Sequence, residues 1–302
     1  PRVGRIGLVY FASAKGKVIS EMTVTRKGEN SFLLMSGAGA YWHDRDLLNG
    51  SLPHDGRVVI EDVTHDLATL LVTGPKAPKL LADVVGAPMT SGDFGWLTHQ
   101  KLVIDGCEVL AIRVSFAGEA GWELHMDMAD VTGVYDAIVV SGNTHNLGHF
   151  GMLALDSMRL EKGYRSWKLD LTSDYTMLES GLGRWVNFSK PDFVGRAALQ
   201  AEHQTGSKRR FITLVLDNPD DDAPFGDAIY LSSVMIDGST AGLVVSAGYG
   251  HRVGASIAMA VVDADRLADT AAISVRVLGR QRRARLVEAA ALYDPENQKL
   301  RA

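Results

Sequence analysis

Lys208-Arg-Arg-Phe-Ile-Thr-Leu-Val-Leu216, KRRFITLVL, is where the chain changes character. Before it, helix-like and strand-like patterns are interleaved. After it only short apolar runs remain, at Ala228–Leu231, Val234–Ile236, Leu243–Ser246, Ile257–Val262 and Ile273–Leu278. Asp237-Gly238 is a hairpin signal between two of these runs, and Asn218–Pro224, NPDDDAP, reads as a polar loop. Strands this short, beginning with Phe211–Leu216, describe a separate antiparallel barrel or sandwich. The expected boundary lies near Glu202–Ser207, giving domains over 1–203 and 204–302.

Working back toward the start, Val18–Thr25, VISEMTVT, follows a two-residue strand period that puts Glu21, Thr23 and Thr25 on one face. Phe32–Ser36 is a second strand, joined to the first by a turn at Lys27–Asn30, and Tyr41–Leu48 is a helix. Further strands are expected over Arg57–Asp62, Leu67–Thr73, Lys101–Ile104 and Glu108–Phe116. Gly74-Pro75 opens a helix running through Leu80-Leu81, since proline fits a first helical turn. Met128–Val140 and Met152–Lys162 are helices, the second with apolar residues at 153, 155, 158 and 160 and Gly163 as its stop. The fold class is α+β.

Bulk properties bound the function. In the 302 residues, 46% hydrophobic content supports real cores, and a formal net charge of −5 argues against binding nucleic acid by broad charge neutralisation. One cysteine, Cys107, excludes an internal disulfide and any multi-cysteine metal site, which fits a reducing compartment. The sequence has no apolar run long enough to cross a bilayer and no basic-then-apolar leader, so a soluble, cytoplasmic protein is expected. Pro1-Arg-Val-Gly leads almost at once into a strand pattern, as in a piece of something longer.

Most motifs have dull readings. Ser36-Gly-Ala-Gly-Ala40 has Trp42 where a dinucleotide fingerprint needs its third glycine, so it is a turn. His145 and His149 have four-residue spacing but lack the zincin glutamate, and no metal site is expected. Lys208–Arg210 and Arg280–Arg285 are better read as solvated strand faces than as an anion patch. Glu21 and Glu119 differ, because each lies on or beside a strand among small or hydroxyl residues. Arg159, in Asp156-Ser-Met-Arg-Leu-Glu161, has ion-pair partners within its own helix. From the residues alone the structural reading of each stays ahead, since exposed carboxylates and surface pairs are common.

Five segments change that balance: VGRIGLVYFASAKGKVISEMTVTR, SFAGEAGWELH, LDSMRLEKGYRSW, LESGLGRWVNFSKPDFVGRAAL and YGHRVGASIAMA. Through them the chain resembles the folate-binding aminomethyltransferase family (the glycine cleavage T-protein), and is similar to the C-terminal half of the dimethylglycine and sarcosine dehydrogenases. The resemblance implies a T-protein-like domain of antiparallel sheets with helices, N-terminally shortened, followed by a small C-terminal β-barrel. It implies that Glu119 grips the pterin ring of tetrahydrofolate, a carboxylate being able to accept two hydrogen bonds from a ring N–H and its amino neighbour. It places Glu21 where the family usually carries its reactive aspartate, with Thr23 and Thr25 on the same strand face. Tyr10 stands in for an aromatic residue that relatives carry at Leu8, Trp96 supplies an aromatic wall, and Arg159 lies near the folate.

The activity so implied is one-carbon transfer from an N-methylated amine, giving 5,10-methylene-tetrahydrofolate. FAD would enter only through a flavin-containing domain or subunit absent from this chain, and a eukaryotic version would sit in the mitochondrial matrix. The alternatives are a folate-dependent demethylase of a sulfonium or methoxy donor, and a non-catalytic folate-binding accessory protein. The accessory branch carries a K-G-C-Y-x-G-Q-E signature, whereas Glu161-Lys-Gly-Tyr-Arg-Ser-Trp167 has no cysteine.

Overall fold

The computed structural model describes residues 1–217, 232–268, 271–289 and 291–302. Two units divide the chain: Pro1–Val9 with Met22–Phe150 and Asn297–Ala302, and Tyr10–Glu21 with Gly151–Glu296. Strands β1 (Ile6–Ala12) and β2 (Val18–Gly28) each begin in one unit and end in the other, and with β3 (Ser31–Met35) they form a sheet in the order β1-β2-β3. Along β2, Val18, Ser20 and Met22 are buried while Ile19, Glu21 and Thr23 are partly so, as a two-residue period requires. The period breaks at Thr25, which is fully buried and so does not share the setting of Glu21 and Thr23.

The rest of the first unit is α1 (Tyr41–Gly50), β4 (Leu67–Thr73), α2 (Ala77–Val85), β5 (His99–Ile104), β6 (Cys107–Ile112), β7 (Gly121–Asp127) and α3 (Val131–Gly142). The four strands form an antiparallel sheet in the order β4-β7-β6-β5. Trp122, Leu124 and Met126 of β7 join Leu80 and Leu81 of α2 and Val134 and Ile138 of α3 in one core. Each such fully buried side chain contributes about 1.5–3 kcal/mol.

Several sequence expectations need correction here. No strand forms over Arg57–Asp62: residues 57–62 are exposed, Val59 at 84%. Local polar bonds hold that stretch instead, Arg57 Nε donating to Asp55 and Asp62 accepting from the Thr64 N–H and the Tyr41 hydroxyl. A β-branched run has little strand preference without a surface to pack on. β6 stops at Ile112, because Arg113 exchanges backbone hydrogen bonds with Leu97 and Thr98, where Leu97 has a φ of 56°. α3 starts three residues late, after a 3-10 turn at Met128–Asp130.

The second unit holds α4 (Met152–Glu161), α5 (Arg196–Thr205) and strands β8 (Arg209–Leu216), β9 (Ser233–Ile236), β10 (Ser239–Gly250), β11 (Ala255–Asp263), β12 (Ile273–Val277) and β13 (Arg280–Val287). These six strands close into a barrel in the order β10-β11-β8-β13-β12-β9. Ala258, Ala260 and Val262 of β11 line its interior, while Ile257, Met259 and Val261 pack outside against Leu160 of α4 and Phe211. A strand covered on both faces must be apolar throughout, which is why Ile257–Val262 carries no alternation. Basic β13 is a barrel strand with Arg283 and Arg285 exposed and Ala284 inward, and Asp237-Gly238 makes the β9–β10 hairpin. Asn218–Pro224 and Ala228–Leu231 lie outside the described residues.

α4 departs from its apolar pattern. Leu153 is 89% exposed, and the buried residues are Arg159, Leu160 and Glu161. Glu161 accepts the Arg252 and Val253 backbone N–H groups at 2.6 and 3.2 Å, and the neighbouring Lys162 ammonium pairs with Asp294 at 3.0 Å. Charge-assisted bonds of this kind make such burial tolerable.

Candidate functional site

In the first unit, residues 117–122, at the end of the β6–β7 connection and the start of β7, are buried without interruption, and Glu119 among them is 3% exposed. The loop is pinned at its end: the Ala120 carbonyl accepts from the Gly74 N–H at 2.9 Å and the Thr73 hydroxyl at 3.1 Å. Gly118 has a φ of 78°, and a Cβ on Gly121 would come within 3.0–3.1 Å of Thr73, Ser115 and the Val114 carbonyl. Glycine at both positions is therefore a condition of this turn. The buried Ser115 hydroxyl and Trp122 indole N–H have no hydrogen-bond partner among the described residues. Beneath the turn the Arg113 guanidinium lies 5.1 Å over Trp122 and donates to the carbonyls of Phe94 and Ala302. Trp96 is half-buried two residues beyond Phe94, which meets Trp122 edge-on at 6.2 Å.

In the second unit, neighbouring strands β1 and β2 set Tyr10 beside Glu21, close enough for the phenol to act on the carboxyl group as a hydrogen-bond donor. Burial pushes the Glu21 carboxyl above the usual carboxylate range, and the Tyr10 hydrogen bond pulls it partly back. Tyr10 is itself raised by burial first, then by the charge and hydrogen bond of Glu21, with Arg165 and Arg184 opposing. Its ring stands edge-on to Trp185 at 5.2 Å, and Arg184 stacks on that indole at 3.8 Å. The resemblance casts Tyr10 as a substitute for the aromatic residue that relatives carry at Leu8; in the structure its hydroxyl acts on Glu21. Arg165, Arg184 and Trp185 were not singled out in the sequence, although all three lie in the quoted segments EKGYRSW and GLGRW.

Arg159 is fully buried and its donors are engaged within the fold. Nε meets Asp156 at 2.7 Å, Nη2 meets the Ser246 hydroxyl at 2.7 Å, and Nη1 serves Asp170 and the Tyr164 carbonyl. The sequence offered Asp156 or Glu161 as partners within the helix; the structure uses Asp156 and adds Asp170 and Ser246 from outside it. Thr23 is half-buried on β2 opposite Met35, and the buried Thr25 hydroxyl has no hydrogen-bond partner among the described residues. Glu21 and Tyr10 are thus brought together; Glu119 and Trp96 belong to the other unit.

The discarded motifs resolve as local structure. His145 pairs with Asp83 at 2.7 Å, His149 with the Tyr135 hydroxyl at 2.8 Å, and Ala38–Ala40 form a 3-10 turn. Among the described residues no group of His, Cys, Asp and Glu could hold a metal ion, and no helix is long and apolar enough to cross a membrane.

Residues 1–190 match the model of the GCVT N-terminal domain, and residues 209–294 match that of the glycine cleavage T-protein C-terminal barrel domain. The chain is 32% identical to mitochondrial dimethylglycine dehydrogenase of Homo sapiens, covering 99% of this chain and 34% of that protein. It is 31% identical to the aminomethyltransferase of Saccharopolyspora erythraea, covering 92% and 74%. The crystal structure of glycine cleavage system aminomethyltransferase T from Bartonella henselae shares the fold, with a TM-score of 0.80 at 20% identity over 96% of this chain and 77% of that one. The chain belongs to the glycine cleavage T-protein family, the folate-binding aminomethyltransferases. It spans about a third of the length of the human dehydrogenase it matches.

Proposed function

We propose that this chain binds tetrahydrofolate and transfers to it the one-carbon unit of an oxidised N-methyl amine of the dimethylglycine or sarcosine type. The observation that carries this reading is the Tyr10–Glu21 pair: a carboxyl group held by burial above its usual range, with a phenol beside it that pulls it partly back. We divide the work between a folate-binding part over 1–203 and the barrel over 204–302. The residues fit the ligand, because the glycine-framed loop carries a buried carboxylate together with the unpartnered Ser115 hydroxyl and Trp122 N–H.

Bound tetrahydrofolate supplies the nitrogens that accept the carbon, and it leaves as 5,10-methylene-tetrahydrofolate. Glu119 orients the pterin ring by accepting its N–H donors, and Trp96 and Thr23 border it. Joining an iminium carbon to two N–H groups releases two protons, one to the departing amine and one to a base. Glu21 takes the second proton on its carboxylate and stabilises positive charge while it develops. A carboxyl group whose affinity for a proton is raised toward the working pH suits that relay. Tyr10 holds the carboxylate in one orientation, and the extra methylene of glutamate over aspartate sets its reach. Arg159 acts from behind, by fixing α4 to the barrel.

The oxidation that makes the iminium is assigned to a flavin-containing domain or subunit outside this chain. Support comes from the human relative, which is named a dehydrogenase and is about three times longer. That relative is also named mitochondrial, and we place the protein in the cytoplasm, or in the matrix of a eukaryotic cell.

The test is product analysis with dimethylglycine, tetrahydrofolate and a flavin amine oxidase supplied in trans. 5,10-Methylene-tetrahydrofolate should form, and Glu21→Gln should slow it by about a hundredfold, within the range of general-base effects, at unchanged folate affinity. Formation of 5-methyl-tetrahydrofolate would point to direct methyl transfer from another donor. Unchanged turnover in Glu21→Gln would remove that carboxylate from the mechanism.

A further inference from the structure

We propose that Arg165 is the carboxylate-binding residue of this site, recognising either an amino-acid-type amine or the glutamate tail of the folate. The inference rests on the one-carbon transfer read above and names the chemistry of its substrate.

Among the described residues, the Arg165 guanidinium makes no hydrogen bond and no ion pair within 4.0 Å, and its Nε is buried without a partner. Its neighbours hold it in place without satisfying it. The guanidinium lies 4.3 Å from the centre of the Phe211 ring, a stacking arrangement that leaves the N–H edge free. A Cβ at Gly181, whose φ is 68°, would stand 2.6 Å from Nη2, so a glycine keeps that edge clear. Asp170 acts on Arg165 only through space: its Oδ2 is taken by Arg159 and by the Ser166 N–H, and its Oδ1 makes no hydrogen bond among the described residues. The group is one of two cations, with Arg184, whose charge reaches Tyr10, the partner of Glu21.

A guanidinium with a buried, idle Nε donor is costly, and arginine cannot escape by giving up its proton at working pH. A planar carboxylate satisfies two of its N–H groups at once, which a lysine in the same place would not do. Placed there, it would also fix an amine's methylated nitrogen relative to the Glu21 relay.

The 302-residue chain, its Arg165→Gln variant and Arg165→Lys as a charge-retaining control are titrated calorimetrically with four probes. Two carry a carboxylate, N,N-dimethylglycine and 5-formyl-tetrahydrofolate. Two are their carboxylate-free counterparts, trimethylamine and 6-methyl-tetrahydropterin. In one of these pairs Arg165→Gln should weaken the carboxylate-bearing probe by about ten- to a hundredfold and its counterpart by less than about twofold, with Arg165→Lys between. The pair that responds identifies the source.

Equal losses for both members of each pair, or no loss, overturn the proposal, provided the variants melt where the wild type does. Should Arg165→Gln fail to fold, the same comparison with Arg165→Lys decides. Tetrahydropterin binding that depends on Glu119, with no carboxylate effect at Arg165, sinks this inference and leaves the functional reading standing. If neither pterin probe binds, the functional reading falls, and the inference survives only on an Arg165-dependent dimethylglycine site.

Discussion

A carboxyl group withdrawn from water holds its proton more tightly, and the group that most clearly shows it here is Glu21. Since the Tyr10 hydrogen bond opposes that effect, Tyr10→Phe should move the acid limb of product formation to higher pH. A pH–rate profile checks this, and an unmoved or lower limb would show that the phenol does not touch the working carboxylate. Linkage gives a companion sign. With its folded value raised, Glu21 favours the folded state below the ordinary carboxylate range and loses that contribution as pH rises through its own value. Glu21→Gln should therefore melt above the wild type at neutral pH, with the gap closing in acid. At this scale the sequence was partly legible. Glu21 and Glu119 stood out by their neighbours, and the resemblance assigned them roles. The Tyr10–Glu21 bond and the idle Arg165 guanidinium come from strand pairing and loop packing, for which no local period exists.

Among the elements, local chemistry misled where an element's partners decide its fate. Val58, Val59 and Ile60 look like a strand and find no sheet, whereas β7, hidden behind the glycines of SFAGEAGWELH, sits at the middle of one. Its signal was present, as Trp122, Leu124 and Met126 alternate with Glu123, His125 and Asp127. The short barrel strands were readable because hairpins and turn residues are local, and β13 showed as a strand face despite its charge. α4 was the hardest case, since its buried face carries Arg159 and Glu161 and no hydrophobic period can announce that. Arg159→Met should cost about 3–5 kcal/mol in denaturant unfolding, because it leaves the buried Asp170 carboxylate without its cation. Adding Asp170→Leu should recover much of that loss. A double variant no better than the single would mean that packing, and not charge, sets the cost.

For the molecule as a whole, two matched family domains and a shared T-protein fold establish the lineage, while the activity rests on what the chain can hold. A net charge of −5 offers no general attraction to an anionic folate, so the proposed recognition rests on particular groups and not on overall charge. The most direct measurement is calorimetric titration of the chain and of its Glu119→Ala variant with 5-formyl-tetrahydrofolate. Binding in the micromolar class is predicted, about −8 kcal/mol, with the variant weakened by about 1–3 kcal/mol at an unchanged melting temperature. Equal affinities for the two proteins, or no heat of binding to either, would contradict the account.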